Sequence, residues 1–124
     1  MFEVCVTERF AARHQLPLPD GDWEPLHAHD WRVTVTFAGP LLCAGDVLID
    51  FEAVQRRLRA ALAPLTATIL NELPQFAGGS PSAERVAAHL GQRLAAGWPP
   101  AVRLTCVEVE EAPGCVARCY LPSG

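Results

Sequence analysis

The sequence predicts an α+β fold, an antiparallel four-stranded sheet with two helices on one face. Two early runs, Phe2 to Arg9 and Trp31 to Phe37, alternate apolar and polar residues with the period of half-buried strands. Two middle stretches, after Asp50 and after Ser80, repeat apolar residues at helical spacing. Two more strand-like runs, Val102 to Glu111 and Cys115 to Leu121, close the chain. The order strand, strand, helix, helix, strand, strand places helices over an antiparallel sheet. Four long strands leave two edges, and edges invite pairing with another subunit.

In the first strand Phe2, Val4 and Val6 share one face, with Glu3, Cys5 and Thr7 on the other. Leu16 to Pro25 holds three prolines and Asp20-Gly21-Asp22, so it is a loop. Trp31, Val33, Val35 and Phe37 form the apolar face of the second strand, which Ala38-Gly39-Pro40 ends. Val47-Leu48-Ile49 reads as a short strand fragment. Asp50 then caps a helix whose stripe is Phe51, Val54, Leu58, Leu62 and Leu65, and Pro64 breaks it near its end. Leu73 to Gly79 is a loop. Ser80-Pro81 reads as N-cap plus first-turn proline of a second helix, with Val86, Ala87, Leu90 and Leu94 inward and Gly97 as its stop. Pro113-Gly114 turns the last two strands into a hairpin.

The chain of 124 residues reads as a single domain, 1–124, and half of it is apolar. A net charge of −4 with no basic stripe argues against nucleic acid. No apolar run approaches the roughly 20 residues that cross a membrane, and the start, Met1-Phe2-Glu3-Val4, lacks the features of a signal peptide. Five cysteines without a C-x-x-C pair suit reduced, mostly buried thiols in a cytoplasmic protein.

Three of the four histidines carry the chemistry. His27 and His29 lie two apart in Leu26-His27-Ala28-His29-Asp30, at the start of a strand-like run, so both face one way. His14 ends the preceding strand-like run and meets them if the two strands pair. Three imidazoles around an open fourth position describe a catalytic zinc site. The competing reading is that these are surface or hydrogen-bonded histidines, since H-x-H alone is weak. His89 falls in the second helix.

These motifs resemble, in order, those of the 6-pyruvoyl-tetrahydropterin synthase and 6-carboxytetrahydropterin synthase family. Phe10-Ala11-Ala12-Arg13-His14-Gln15-Leu16 resembles F-x-A-x-H-x-L, and Leu26-His27-Ala28-His29-Asp30 resembles L-H-G-H-N. Gly45 to Phe51 resembles G-x-V-x-D-F, Leu70-Asn71 the end of L-D-H-x-x-L-N, and Pro81-Ser82-Ala83-Glu84 resembles P-T-A-E. Glu111, ahead of Ala112-Pro113, resembles the late glutamate that recognises the pterin. The resemblance implies a tunnelling fold, with sheets joined across subunits into a barrel, a hexamer, and pterin sites at subunit interfaces. It implies Zn2+ on His14, His27 and His29 and a small-molecule pterin substrate.

The departures from the pattern are equally informative. The family's catalytic cysteine is Trp23 here, and its Asp-His pair is Thr66-Ala67. Glu24, three before His27, resembles the E-x-x-H-G-H pattern of a subclass that uses glutamate and is implicated in making a folate precursor. Glu24 is therefore the candidate general base, or else a solvated loop acid beside Asp20 and Asp22. Glu111 either pairs with a guanidine-like pterin edge or is an exposed strand-end acid. Ser82 either hydrogen-bonds the pterin or only starts the helix, and Trp23 and Trp31 either stack on a ligand or fill core and interface space. The function implied is a zinc-dependent lyase on 7,8-dihydroneopterin triphosphate or a relative. The alternatives are a pterin-binding protein without turnover, or a structural subunit that binds no pterin.

Overall fold

The computed structural model describes residues 1–122. Its sheet runs β1 (Phe2–His14), β2 (His27–Gly39), β3 (Arg103–Ala112) and β4 (Cys115–Tyr120), hydrogen-bonded in that order and antiparallel throughout. Helices α1 (Phe51–Leu62) and α2 (Ala83–Leu94) are inserted between β2 and β3. The predicted class and element order are what the chain adopts.

The β1–β2 pair extends beyond the alternating runs, in unbroken register from Phe2↔Gly39 to His14↔His27. At about 3.3–3.4 Å per residue it is roughly 43 Å long. Ala11, Ala12, Ala28 and Asp30 have little strand propensity of their own. Pairing satisfies their backbone groups, and it carries the ladder out to the histidines.

One face of the sheet is apolar and lies under the helices. Val6, Phe10, Ala12, Trp31, Val33, Val35, Val107 and Val109 are buried there. Phe10 and Trp31 are cross-strand partners, with rings stacked 5.7 Å apart. Val54, Leu58 and Leu62 of α1 and Val86, Ala87, Leu90 and Leu94 of α2 complete the core. Phe51, expected in the α1 stripe, is instead 55% exposed at the first helical position. Pro64 shortens α1 as expected, and the chain continues into a 3-10 turn, Ala63–Leu65.

Three local expectations are corrected. Val47-Leu48-Ile49 is not a strand. Its contacts are those of a tight turn, Cys43 N to Val47 O and Asp46 N to Cys43 O, and it pairs with no strand among the described residues. Leu48 and Ile49 are nevertheless buried. Second, the N-cap of α2 is Ser82 and not Ser80, because the Ser82 amide turns back onto the Ser80 carbonyl and the Ser82 hydroxyl accepts from Arg85 N at 3.1 Å. Third, the thiols are free but not mostly buried. Only Cys106 is buried, while Cys5, Cys43 and Cys115 are exposed. The outer face of the sheet carries Cys5, and no helix covers it. Leu73 to Gly79 is irregular apart from the 3-10 turn Pro74–Phe76, which sinks Phe76 into the core. Among the described residues, no helix is long and apolar enough to cross a membrane.

Candidate metal centre

The long hairpin delivers the histidines. His14 is the last residue of β1, His27 the first of β2, and the two are direct cross-strand partners. His29 lies on the same face of β2, opposite Ala12. The three imidazole centroids are 4.6 to 5.1 Å apart, with planes crossed at 68° to 84°. Trp31 forms the floor, its ring centroid 4.8 Å from His14 and 5.6 Å from His29. It is fully buried and its indole N–H donates to Ala12 O, so its place is the core and not a ligand platform.

Among the described residues His14 is the one buried polar side chain. Its Nδ1 is 2.8 Å from the Pro81 carbonyl oxygen, and His27 Nδ1 is 2.8 Å from the Pro25 carbonyl oxygen. A carbonyl oxygen only accepts, so each Nδ1 carries a hydrogen, and in the neutral ring each Nε2 is left with a lone pair. That is the ligating form of imidazole, held by a second partner. The backbone just past His14 is also fixed. Asn71 accepts from Gln15 N and donates to Gln15 O, both at 2.9 Å.

The Nε2 atoms of His14 and His29 are buried and lack a hydrogen-bond partner. An unsatisfied buried polar atom costs about 1–3 kcal/mol, so a group that satisfies both at once is well matched to the site. Burial lowers the pKa of His29 and the neighbouring His27 and His14 add to that, against an opposing pull from Glu111. The neutral ring is again the ligating form.

A carboxylate joins the three rings. Glu111 Oε1 is 2.6 Å from His14 Nε2 and 3.6 Å from His29 Nε2. One donor atom from each of His14, His27, His29 and Glu111 lies within 4.8 Å of the others. Three imidazoles and a carboxylate are a donor set that suits zinc. Sequence reasoning placed the three histidines together but assigned Glu111 elsewhere. The available hint was the alternation that puts Glu111 in phase with Val107 and Val109, close to the Pro113-Gly114 turn, where hairpins often carry a bulge. The register confirms such an irregularity, since Glu110 pairs with Val116 and Ala112 with Cys115, leaving Glu111 between them.

Glu24 is not a free loop acid. Its Oε1 accepts from Leu16 N at 3.0 Å, its own amide donates to Leu16 O, and Oε1 is 3.7 Å from His27 Nε2. Ser82 lies beside Pro81, and its oxygen caps α2. Trp23 is 52% exposed and takes no part in the group. Thr66 donates to Leu62 O, and the Ala67 amide to Ala11 O, so this segment offers only backbone ties near the site. Cys43 follows the far end of β2. Glu111 borders two open clefts of about 410 and 490 Å³, one against Ala83, Glu84 and Cys115, the other against Arg9, His29 and Arg32. A further hollow of about 780 Å³ lies over the outer sheet face by Cys5, Thr36 and Cys106, away from the histidines.

A family model described as 6-pyruvoyl tetrahydropterin synthase matches residues 3–121. None of the curated proteins matches the chain. The structure of Caenorhabditis elegans 6-pyruvoyl tetrahydropterin synthase superposes with a TM-score of 0.82 at 16% identity, covering 98% of this chain and 96% of that one. An uncharacterized protein from Wolinella succinogenes gives 0.73 at 20% identity, covering 96% of this chain and 97% of that one. A Plasmodium vivax 6-pyruvoyltetrahydropterin synthase, in a form with a catalytic glutamate replaced by alanine, gives 0.72 at 15%, covering 97% of both chains. At these identities the likeness is one of fold.

Proposed function

The chain belongs to the 6-pyruvoyl tetrahydropterin synthase family, and on that basis we propose that it is a zinc-dependent lyase acting on 7,8-dihydroneopterin triphosphate or a related pterin. The observation that carries the reading is the convergence of His14, His27 and His29, two of them with Nδ1 committed to a backbone carbonyl. Zinc held there would polarise the oxygens of the substrate side chain and make its hydroxyls more acidic.

The remaining roles fall to the protein's own groups. Glu24 Oε1, steadied by Leu16 N and beside His27, is positioned to take a proton from a substrate carbon or hydroxyl held over the histidines. The Plasmodium vivax protein, with its catalytic glutamate, supports a carboxylate as base on this fold and favours the glutamate-type subclass that feeds folate synthesis. Glu111 would receive the guanidine-like pterin edge through both carboxylate oxygens. Ser82 caps α2 as an acceptor, which leaves its O–H free to donate to the pterin, so both roles assigned to it are compatible. The open stretches of the β1 and β4 edges would join sheets between subunits into the hexameric barrel of the tunnelling fold. A cytoplasmic location suits the five free thiols.

A second reading is pterin binding without turnover. It is favoured by Trp23 and Thr66-Ala67, which stand where the family has its cysteine and Asp-His pair and which supply no proton-transfer group. Two measurements decide. His27→Ala should remove stoichiometric zinc, and unchanged zinc content would mean the ligands are misassigned. Glu24→Gln should abolish turnover of dihydroneopterin triphosphate, since a positioned base contributes about 10²–10⁴-fold, while leaving pterin affinity within a few-fold. Full activity in that variant would place the base elsewhere. A wild-type protein that binds pterin but never converts it would establish the second reading.

A further inference from the structure

We propose that Glu111 is a fourth protein ligand that closes the three-histidine metal centre while the site is free of substrate, and that a pterin withdraws it. The second half rests on the pterin reading above. The first stands on geometry alone.

His14 Nε2 faces Glu111 Oε1 at 2.6 Å, yet the two are not aligned as hydrogen-bond donor and acceptor, and Nε2 has no partner of that kind. The hydrogen of His14 is on Nδ1, directed at Pro81 O. With a neutral ring Nε2 and Oε1 therefore meet as two lone pairs, a repulsive contact unless a cation lies among them. A proton shared between them needs a nearly straight N–H–O arrangement. A metal ion needs only that the donors surround it. His29 Nε2, buried and without a partner, is 3.6 Å from the same oxygen. Tetrahedral zinc with ligands at about 2.0–2.1 Å wants its donors roughly 3.4 Å apart, so this pair is already at ligand spacing.

The backbone explains why the carboxylate is there. Glu111 falls at the register shift between Glu110 and Ala112, on the strand end beside His29. Alternation along β3 already puts Glu111 on the face of Val107 and Val109, the face that Trp31 and Val33 share across the β2 pairing, and the shift leaves it without a partner on β4.

Release follows from the chemistry of the carboxylate. A guanidine-like pterin edge engages both oxygens at once, so Oε1 cannot serve the metal and the pterin together. Glu111 is about one-quarter exposed and borders an open cleft beside Ala83 and Glu84, so a planar ligand can reach it. Substrate binding and exposure of the fourth position thereby become one event.

The test uses the full-length protein loaded with Co2+, whose visible absorption reports its ligands. Azide is the probe for an open position, and unsubstituted pterin, which has no side chain to ligate, is the probe for release. Wild-type protein should show no spectral response to azide. Glu111→Ala should give a saturable azide shift, and wild-type protein with pterin should acquire the same response. If Glu111→Ala fails to retain cobalt while its circular dichroism is native, ligation by Glu111 is again supported. Glu111→Gln, nearly isosteric, should behave between the two if the substitution to alanine perturbs folding. An azide response in wild-type protein equal to that of Glu111→Ala would overturn closure and leave the zinc and pterin reading intact. Azide insensitivity that persists with bound pterin would overturn release. Wild-type protein that holds neither cobalt nor zinc would instead defeat the metal reading itself.

Discussion

A histidine's chemistry is set by what its second nitrogen touches. His14 and His27 each face a proline carbonyl, Pro81 O and Pro25 O. Proline has a fixed φ, so both acceptors sit on stiff backbone and the rings have little freedom to turn away. His89 is a contrasting case. It packs edge-on to Phe76 at 5.5 Å, and its pKa is lowered by burial first and by Arg93 second. A histidine depressed in the folded state binds its proton more readily when unfolded. Its favourable contribution is present above the unfolded value of about 6.5 and is lost as pH falls through the window below it. His89→Gln in the presence of chelator should therefore show a smaller drop in urea midpoint between neutral and mildly acid solution than the wild type. Identical pH profiles would remove His89 from the account of acid sensitivity.

At the scale of elements, three devices place the site. The unbroken β1–β2 register carries His14 and His27 into opposition, and the Asn71 side chain clamps the backbone just past His14. The start of α2 brings Pro81 O onto His14. The pairing of β3 with β2 brings Glu111. Helix α1 plays no such part. Asp50 caps it by accepting from Glu52 N at 3.0 Å, at the opposite end of β2 from the histidines. Asp50→Ala should lower stability by about 1 kcal/mol, the usual loss for a removed N-cap, with zinc content unchanged. Loss of zinc in that variant would mean that α1 supports the site directly.

For the molecule as a whole, the feature that calls for a partner is the sheet. β1 is an edge strand whose outer side is bridged near its end, where Arg13 pairs with Ile69, and β4 is the other edge. The outer face carries Cys5, Thr7, Arg9, Arg32, Glu108 and Arg118, polar but uncovered by any helix. The clefts beside Glu111 are likewise open in a single chain. Joining sheets edge to edge would cover the edges, enclose that polar face and complete the clefts. Light scattering coupled to sizing should report a homo-oligomer, with six subunits expected. A monodisperse monomer at micromolar concentration would sink the assembly.

Periodicity alone determined the class and order of elements here. Alternation marked both faces of β1 and β2, and the spacing of Val54, Leu58 and Leu62 marked α1, because burial of one face writes itself into neighbouring positions. The H-x-H pair was legible for the same reason, since it obeys a local period. What lay beyond reach has no local period. Val47-Leu48-Ile49 has strand-like composition but no strand to pair with. Ser80 and Ser82 both look like caps, and only the turn between them selects Ser82. Above all, Glu111 is separated from His14 by most of the chain, and it reaches Nε2 because β3 lies beside β2 with Val109 opposite Val33. Strand neighbours and bulges are properties of pairing between distant segments. The tertiary structure alone decided that a strand-end acid would stand at the three histidines.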